Sequence, residues 1–437
     1  MRLWIRFGFG WIAAVAIPTV YATETSVVWK RLEPTSAEPS PRRGVAGVYD
    51  AAGRRLVFQG AETRDVRFLR DVWFFDLEGN TWSRFSGSEP DTRCHHTFIM
   101  ERDRRRALLF GGFPRTNKLW SWDGTTSLWT DITPEKSPTP RCLHSSLLWP
   151  ERGEMIVYGG LNGGFSPDLP DTWSYDLAAN SWTLLVADSA PGRRYGHVVA
   201  IDKARGRMIL FGGFRRPPTG GLRNANDLWA FDRTSEIWTE LSPATPGPSP
   251  RQFARSATLP DGSGLILFGG LSDAGPMSDL WVLKFEDLSW TQLTPEGPHP
   301  PARFRHTLVL DATGNRLWVA FGEGESREHF SDIWTLELEQ PASRQAPFRR
   351  GDANADGEVD ISDAVKTLFI LFLGDGQFPC EDAGDSNDDG QVDVSDVVAI
   401  LKYLFLGGSP FAEPSEERCA TDPTEDGLTC DASPACE

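Results

Sequence analysis

The sequence predicts an all-β propeller of six four-stranded blades, followed by a small α-helical domain. Three observations support this fold class. Tryptophan recurs about every fifty residues over most of the chain, and short β-prone runs separated by turn residues fill each repeat. Near the C-terminus, two acidic twelve-residue loops each lead into an apolar helix, over residues 364–373 and 397–406.

Two sets of tryptophans define the repeat. The first set is Trp73, Trp120, Trp173, Trp229, Trp281 and Trp334, and the second, nine residues later in each repeat, is Trp82, Trp129, Trp182, Trp238 and Trp290. Trp334 has no mate, because position 343 is serine, and Trp29 has no predecessor. We therefore expect the N-terminal segment to supply the missing fourth strand of the last blade. Such closure removes exposed sheet edges, and the tryptophans would pack between blades.

Each repeat also contains an apolar run that ends in a glycine pair, and an Asp-x-Trp strand usually follows. The pairs are Gly111-Gly112, Gly159-Gly160, Gly212-Gly213 and Gly269-Gly270, with Gln59-Gly60 and Gly322-Glu323 at the matching places in blades one and six. This pattern resembles the kelch repeat over roughly residues 25–340. The resemblance implies a six-bladed kelch-type propeller, which we place at residues 23–340.

An arginine opens each repeat, and histidine follows three residues later in four of them. The arginines are Arg43, Arg93, Arg141, Arg194, Arg251 and Arg303, and the histidines are His96, His144, His197 and His306. Some kelch domains bind acidic peptides through arginines at the channel mouth, so the resemblance marks these arginines as candidate ligand-facing residues, together with Arg42, Arg193 and Arg305. We interpret the histidines as structural, because catalysis needs asymmetric partners that the repeat does not supply. Long loops at 161–170, 214–226 and 271–278 are further places for specificity.

The two acidic loops have the ligand pattern of a calcium site. Oxygen side chains occupy loop positions 1, 3, 5, 9 and 12, glycine occupies position 6, and position 7 offers its backbone carbonyl. The predicted ligands are Asp352, Asn354, Asp356, Glu358, Asp360 and Asp363 in the first loop, and Asp385, Asn387, Asp389, Gln391, Asp393 and Asp396 in the second. The expected cofactor is calcium, two ions per chain.

Residues 350–408 resemble a type I dockerin on these loops and on the helices that follow them. The resemblance implies two bound Ca²⁺ ions, helices related by a pseudo-twofold axis, and docking to a cohesin-type module through loop positions 10 and 11. Those positions hold Ile361, Ser362, Val394 and Ser395. Well-known cellulosomal examples have Ser-Thr there, so the partner stays open.

Charge and cysteine content separate the two parts of the chain. Residues 351–437 carry 21 acidic and 3 basic side chains, whereas the first 350 carry 40 acidic and 41 basic side chains.

Residues 1–22 have the basic start, apolar stretch and Val-Tyr-Ala ending of a secretory signal peptide, so we expect a secreted or cell-surface protein. Residues 341–349 form a linker and 409–437 a cysteine-containing tail.

Export makes disulfide bonds plausible. Cys380, Cys419, Cys430 and Cys436 allow three pairings, and the sequence does not choose among them. Cys94 and Cys142 occupy equivalent repeat positions and are either a disulfide across neighbouring blades or two buried thiols.

Two functions fit the sequence. In the first, a non-catalytic propeller recognises a protein or glycan, and the dockerin-like module gives calcium-dependent attachment to an extracellular assembly. In the second, the propeller is a carbohydrate-active enzyme, a kelch-type sugar epimerase or oxidase or a glycosidase, of a polysaccharide-degrading complex. The first is favoured because no asymmetric acid–base set is apparent.

Overall fold

A computed structural model describes most of the propeller and of the C-terminal domain. The described residues are 28–101, 104–162, 169–188, 191–217, 221–260, 262–311, 316–338, 347–373, 378–408, 410–415, 418–420, 428, 430 and 436. The predicted signal peptide (1–22), most of the predicted linker and most of the predicted tail lie outside them.

Six antiparallel sheets form the propeller, and each sheet is one repeat of the sequence. Blade 1 contains β2 (Ala46–Asp50), β3 (Arg55–Glu62), β4 (Phe68–Asp76) and β5 (Thr81–Arg84). Blade 2 contains β6 (Thr97–Glu101), β7 (Arg106–Phe110), β8 (Leu119–Asp123) and β9 (Trp129–Asp131). Blade 3 contains β10 (Ser145–Trp149), β11 (Glu154–Tyr158), β12 (Thr172–Asp176) and β13 (Ser181–Val186), with a 3-10 turn at Pro150–Arg152.

The remaining blades follow the same order from the channel outward. Blade 4 contains β14 (Arg194–Tyr195), β15 (Val198–Asp202), β16 (Arg207–Arg215), β17 (Arg223–Asp232) and β18 (Ile237–Leu241). Blade 5 contains β19 (Arg251–Gln252), β20 (Arg255–Thr258), β21 (Gly264–Ser272), β22 (Gly275–Lys284) and β23 (Trp290–Leu293). Blade 6 contains β24 (Thr307–Asp311), β25 (Arg316–Ala320), β26 (Ile333–Glu337) and, from the start of the chain, β1 (Trp29–Leu32).

The first strand closes the ring, as the unmatched Trp29 and Trp334 led us to expect. β1 pairs antiparallel with β26, with Trp29 opposite Leu336 and Leu32 opposite Ile333. Because one sheet holds both ends of the repeat region, opening blade 6 would expose the edge of β26.

Aromatic rings fill the spaces between blades. Each tryptophan of the second set is buried, and most contact a ring of the preceding blade: Trp82 with Phe321, Trp182 with Phe110, Trp238 with Tyr158 and Trp290 with Phe211, at 4.8–5.8 Å between ring centroids. Trp29 contacts Phe268 in the same way, at 5.4 Å. Sequence position alone thus assigned Trp29 to the second set correctly. These contacts make each blade depend on its neighbour.

A closed belt of backbone hydrogen bonds encircles the channel where the inner strands begin. One residue per blade contributes, two positions after the arginine that anchors the blade: Gly44, His95, Leu143, Gly196, Phe253 and Arg305. Each N–H donates to the carbonyl of the belt residue in the preceding blade, at 2.7–3.2 Å, and Gly44 donates to Arg305 to complete the circuit. All six have φ between 53° and 67°. We call these six residues the belt.

The C-terminal domain contains α1 (Ile361–Leu373), α2 (Glu381–Gly384) and α3 (Val394–Leu406). The two long helices begin three residues earlier than the apolar pattern predicted, because the loops cap them. In α3 the side chain of Asp393 accepts from the N–H of Ser395 and that of Asp396 accepts from the N–H of Asp393, a reciprocal cap. One helical turn, α2, precedes the second loop.

The tail packs onto this domain, so residue 408 does not mark a boundary in the structure. Phe348 pairs with Ala420, and the ring of Phe411 contacts Tyr403 at 4.9 Å. Disulfides join Cys380 to Cys430 and Cys419 to Cys436, one of the three pairings that the sequence allowed. Within the described part of the chain, no helix has the length and apolar character needed to cross a membrane.

Replacing Trp29 by alanine should destabilise the propeller, because its side chain is 2% exposed and fills the space between blades 5 and 6. We expect Trp29→Ala to lower the free energy of unfolding by about 3–5 kcal/mol, as for large aromatic truncations in cores. Lys30→Ala, at the neighbouring exposed position of β1, is the control and should change it by less than about 0.5 kcal/mol. Urea denaturation measures both, and equal stability of the two variants would refute closure by β1.

Candidate functional site

Five of the six repeat-opening arginines, which we predicted to face a ligand, are instead blade anchors. Arg93, Arg141, Arg194, Arg251 and Arg303 are at most 1% exposed. In each, Nη1 donates to the carbonyl of the first residue of the glycine-pair position, at 2.9–3.1 Å. In four of the five, the aspartate of Asp-x-Trp binds the guanidinium through both oxygens: Asp171, Asp227, Asp279 and Asp332. This geometry contradicts the expectation, because internal acceptors already occupy these groups.

Blade 1 is offset by one residue from the sequence alignment. Arg42, which is 3% exposed, pairs with Asp71 at 2.8 Å and is therefore the anchor, whereas Arg43 takes the next position. The glycine-pair position is likewise Gly60-Ala61, since the N–H of Ala61 bonds the carbonyl of Arg93. In blade 6, the pair is Phe321-Gly322 for the same reason.

The glycine pair is needed because neighbouring blades approach closely there. Gly111 has φ of 68°, and a Cβ atom on it would lie 2.6 Å from the carbonyl oxygen of Arg141. The repeat histidines lie against this turn, as His144 does with its Cε1 near Gly111. Burial lowers the pKa of His197 to about 3 and holds the pKa values of His96, His144 and His306 well below 6.5. These neutral, packed rings agree with the structural interpretation.

The belt closes the channel at the end where the anchor arginines lie. Next to it lies a cavity of about 10 Å³, lined by three of the repeat histidines (His96, His144 and His197), Arg255 and all belt residues but Gly44, which is room for about one water molecule. A ligand that approaches from this end therefore meets the belt and the partly exposed residues just before it, such as Arg43 and Tyr195. We call this surface the channel mouth.

A charged cluster occupies the side of the mouth where blades 6, 1 and 2 meet. Arg43 donates to both oxygens of Glu62, at 2.8 and 3.1 Å, and also to Glu323. Arg305 approaches Glu323 at 3.6 Å, and His95 Nε2 lies 3.7 Å from Glu62. Two arginines and two glutamates balance in charge, so the cluster is a bonded network and not a free positive patch.

This network shifts the pKa values of its members. Burial alone would raise the pKa of Glu62, but the neighbouring His95 ring and the hydrogen bonds and charge of Arg43 outweigh burial and lower it to about 2. Burial lowers the pKa of His95 to about 4 despite its contact with Glu62. At neutral pH, Glu62 is therefore ionised and His95 is neutral.

Glu62, Cys94 and His95 have ligand atoms within 4.8 Å of one another, but they fit a metal ion poorly. Arg43 already binds both oxygens of Glu62, and Arg305 adds positive charge beside the group. Burial raises the pKa of the Cys94 thiol, whereas a thiol must lose its proton to bind a metal. Cys94 and Cys142 are both buried free thiols, the second of the two alternatives that the sequence left open.

Aromatic side chains occupy the opposite side of the mouth, on blades 4 to 6. Tyr195 lies 5.5 Å from Phe214 and 6.1 Å from Phe253, and Phe253 stacks on Phe304 at 6.2 Å between centroids. Arg305 lies over Phe253 at 4.5 Å and joins this group to the charged cluster. Tyr195 and Phe214 are only partly buried, so they offer apolar surface to a ligand. We call Tyr195, Phe214, Phe253 and Phe304 the aromatic arc.

The other end of the channel opens into a cavity of about 700 Å³. Its lining is largely aliphatic, with Leu148, Ile201 and Leu310 among its residues. The charged lining residues pair with each other, Lys203 with Glu151 and Arg104 with Glu101. This cavity has the size of a small-molecule site and suits a neutral apolar group.

The acidic loops share one internal geometry. In the first loop, the Asp352 carboxylate accepts from the N–H groups of Asp356 and Gly357, and the Asp363 carboxylate from those of Asn354 and Asp360, at 2.9–3.1 Å. The second loop repeats every one of these bonds through Asp385 and Asp396. Gly357 and Gly390 have φ of 93° and 79°, which allows the central turn. The same hydrogen-bond pattern in both loops indicates that the two loops have the same role.

The first and last aspartates of each loop are buried, at 2% exposure or less. Burial, with the neighbouring Asp352 and Asp356 charges, raises the pKa of Asp363 to about 6. Burial and Asp385 do the same for Asp396. The other predicted ligand side chains, at positions 3, 5, 7 and 9, are partly or fully exposed. The loops thus concentrate carboxylate oxygens that repel one another.

The residues predicted to dock a partner lie at the start of apolar stripes. Ile361 and Val394 are 56% and 47% exposed. Ser362 and Ser395 instead turn into their loops, where their hydroxyls accept from Asn354 and Asn387 at 2.7 and 2.6 Å. The stripe on α1 continues with Val365, Leu368, Phe369 and Phe372, and that on α3 with Val398, Phe405 and Leu406, all at least 36% exposed.

A family model described as the KLHDC2/KLHL20/DRC7 Kelch-repeats domain matches residues 18–190 and 152–352, which is more than half of the chain. The chain belongs to the Kelch-repeat family. Residues 353–437 lie outside the match. The acidic loops therefore stand apart from the Kelch assignment.

Curated relatives share the Kelch region. Adagio-like protein 2 of Oryza sativa subsp. japonica is 26% identical over 348 residues, 74% of this chain and 53% of the relative. Adagio-like protein 1 of the same organism is 26% identical over 76% of this chain and 54% of the relative. Serine/threonine-protein phosphatase BSL2 of Arabidopsis thaliana is 30% identical over 226 residues, which are 49% of this chain and 21% of the relative. The chain thus spans about half the length of the adagio-like relatives and a fifth of the phosphatase.

Sequence reasoning missed the mouth residues Glu62 and Glu323 of this Kelch propeller, although it named Arg305 as a candidate ligand contact. Glu62 and Glu323 follow the glycine-pair position, where the other blades have Phe113, Leu161, Phe214 and Leu271. The sequence signal for these two glutamates was an acidic residue at a repeat position that is apolar in the other blades. The one-residue offset of blades 1 and 6 concealed it.

The lowered pKa of Glu62 predicts a pH-dependent contribution to stability. A carboxylate with a depressed folded-state pKa stabilises the fold above its ordinary value of 4.5, and the contribution is lost as pH falls toward about 2. Glu62→Gln should therefore be less stable than wild type at pH 7, on the order of 3 kcal/mol, and the difference should shrink between pH 4.5 and 2. Urea denaturation at several pH values measures this difference. The exposed control Glu78→Gln should show none, and a pH-independent gap for Glu62→Gln would contradict the ionised network.

Proposed function

We propose that this protein is an exported, non-catalytic binding protein. Its Kelch propeller recognises a protein partner at the channel mouth, and its C-terminal domain binds two calcium ions and attaches the protein to a second partner at the cell surface or outside the cell. The channel mouth supports the proposed recognition of a protein partner. A closed channel beneath a surface that combines the charged cluster with the aromatic arc suits recognition of a protein surface or peptide, because interfaces are enriched in aromatic residues and arginine.

Calcium is supported by the donor set of the two loops. Each loop offers carboxylate and amide oxygens at positions 1, 3, 5, 9 and 12, with a positive-φ glycine at position 6. The hydrogen bonds above hold the carboxylates of positions 1 and 12 in place from both ends of each loop. A divalent cation bound there would offset the repulsion among these acids, so that folding of this domain and ion binding would be coupled.

The attachment surface we propose comprises the apolar stripes of α1 and α3. Phe369 and Phe372 are 48% and 68% exposed, and Phe405 and Leu406 are 65% and 77% exposed, which is costly for a surface that stays in water. Both helices begin at the loops, so calcium would fix the start of each stripe. The partner we propose is a cohesin-type module, by the dockerin resemblance of residues 350–408.

Export is supported by the cysteines and by the sequence of residues 1–22. Two disulfides join the four cysteines of the C-terminal domain, and disulfides persist in oxidising compartments. The two remaining thiols are buried in the propeller. The basic and then apolar N-terminal segment fits a secretory signal.

Calcium binding can be measured on the whole chain by titration calorimetry. We expect two ions per chain, a higher melting temperature of the C-terminal domain with calcium, and loss of both effects in Asp352→Ala/Asp385→Ala. Glu358→Ala is the matched control: position 7 contributes its backbone carbonyl and its side chain is exposed, so this variant should bind two ions. A double variant that still binds two ions would refute the ligand assignment.

The role of the mouth can be tested with peptides selected by display against the whole protein. Tyr195→Ala and Phe214→Ala should weaken the binding of selected peptides tenfold or more, on the order of the loss of an interface hot spot. Ile237→Ala, which removes an equally apolar and 58% exposed side chain from an outer strand, should leave affinity unchanged. Peptides that bind all three variants alike would place recognition elsewhere on the propeller.

A further inference from the structure

Blade 2 lacks the carboxylate that completes the anchor in the other blades. The residue two positions before the first-set tryptophan is Asp71, Asp171, Asp227, Asp279 and Asp332 in five blades, but Lys118 in blade 2. In the five blades, the aspartate accepts hydrogen bonds from an anchor arginine and from the indole Nε1 of the tryptophan. Lysine cannot accept either bond.

Blade 6 shows what the complete anchor looks like. Asp332 accepts from Arg303 Nη1 and Nη2 at 2.7 and 2.8 Å, and from Trp334 Nε1 at 2.7 Å. One carboxylate thus satisfies three donors that converge on it.

In blade 2 the same donors are present without an acceptor. Arg93 keeps its anchor bonds, from Nε to the carbonyl of Asp91 and from Nη1 to the carbonyl of Gly111, both at 3.1 Å. Its guanidinium therefore has the same placement as in the other blades. Arg93 Nη2 and Trp120 Nε1 are both buried and have no hydrogen-bond partner among the residues that the structure describes. In blade 6 the equivalent donors converge on one carboxylate, and leaving both of them buried and unpaired in blade 2 is costly.

Neighbouring charges do not fill this gap. Lys118 directs its amine to Asp131, at 2.5 Å, and both side chains are about a third or more exposed. Asp91 and Asp131 favour the charged form of Arg93, but burial outweighs them and lowers its pKa to about 10. Arg93 is still a cation at neutral pH, buried beside a neutral indole donor.

We propose that blade 2 binds a small monoanion, chloride or a carboxylate, between Arg93 Nη2 and Trp120 Nε1, where the other blades place an aspartate. The five complete anchors supply the recognition chemistry: a guanidinium and an indole N–H that converge on one negative group. The site would link β8 to the start of blade 2 through an exchangeable ion instead of a covalently attached side chain. It lies on the blade itself and is independent of the mouth and of the calcium loops.

Anion-dependent thermal stability of the whole protein tests this proposal. Melting temperatures are measured in sodium chloride and in sodium formate, with ionic strength held constant by sodium gluconate, whose anion is too large for a side-chain-sized gap. Wild type should gain about 2 °C when the small anion reaches ten times its dissociation constant. Lys118→Asp supplies the missing carboxylate, so this variant should melt higher than wild type in gluconate and should not respond to chloride or formate.

Two further variants separate the donors from the lysine. Lys118→Ala removes the amine without adding an acceptor and should keep the anion response. Trp120→Phe removes one donor and should weaken the response while leaving the stacking surface in place. A stronger response to formate than to chloride would identify a carboxylate as the preferred ligand, and the reverse would identify a halide.

Two results would overturn the proposal. A wild-type melting temperature that is the same in chloride, formate and gluconate would mean that water, or nothing, occupies the gap. Loss of the response in Lys118→Ala would mean that the lysine holds the ion and that the two buried donors do not.

Discussion

The belt of six backbone hydrogen bonds is the constraint on which the propeller depends. Each bond crosses from one blade to the next, and the sixth returns to the first, so no blade can move radially without breaking two of them. Four of the six residues, His95, Leu143, Phe253 and Arg305, adopt the left-handed conformation despite having side chains, which costs on the order of 1 kcal/mol each. The closed circuit is what holds them there.

The belt also determines the surroundings of the residues just before and just after it in each blade. The residue before it is partly exposed at the mouth in blades 1 and 4, where it is Arg43 and Tyr195, and Arg43 reaches Glu62 and Glu323 from there. The residue after it meets the glycine pair of the preceding blade, which is how the repeat histidines become packing residues. The same local turn thus places side chains at the mouth on one side and buried packing residues on the other.

Tryptophan spacing was enough to predict the blades and the closing strand, because a β-meander blade has a nearly fixed length and Trp29 matched one empty place. It could not predict the register of blade 1. Arg42 and Arg43 are adjacent, both fit the pattern, and only the pairing of Arg42 with Asp71 distinguishes them. The arginines were assigned to a ligand because the aspartate of Asp-x-Trp was interpreted as a strand marker, whereas it is their acceptor.

In the C-terminal domain, the loop pattern predicts a set of calcium ligands, whereas the helix starts and the disulfide pairing depend on three-dimensional contacts. Apolar periodicity begins only where α1 and α3 reach their shared core at Ala364 and Val397. The first turn of α3 is instead fixed by Asp393 and Asp396, which carry no hydrophobic signal. Four cysteines in sequence order do not indicate which pairs approach.

The way the tail returns to the domain has a practical consequence for protein engineering. Phe348 pairs with Ala420, the N–H of Arg350 donates to the carbonyl of Pro414, and a disulfide joins Cys430 to Cys380. A fusion tag that ends at the last residue of α3 would therefore lack residues that pack against its core. A portable version of this unit has to include both chain ends and be produced where thiols oxidise.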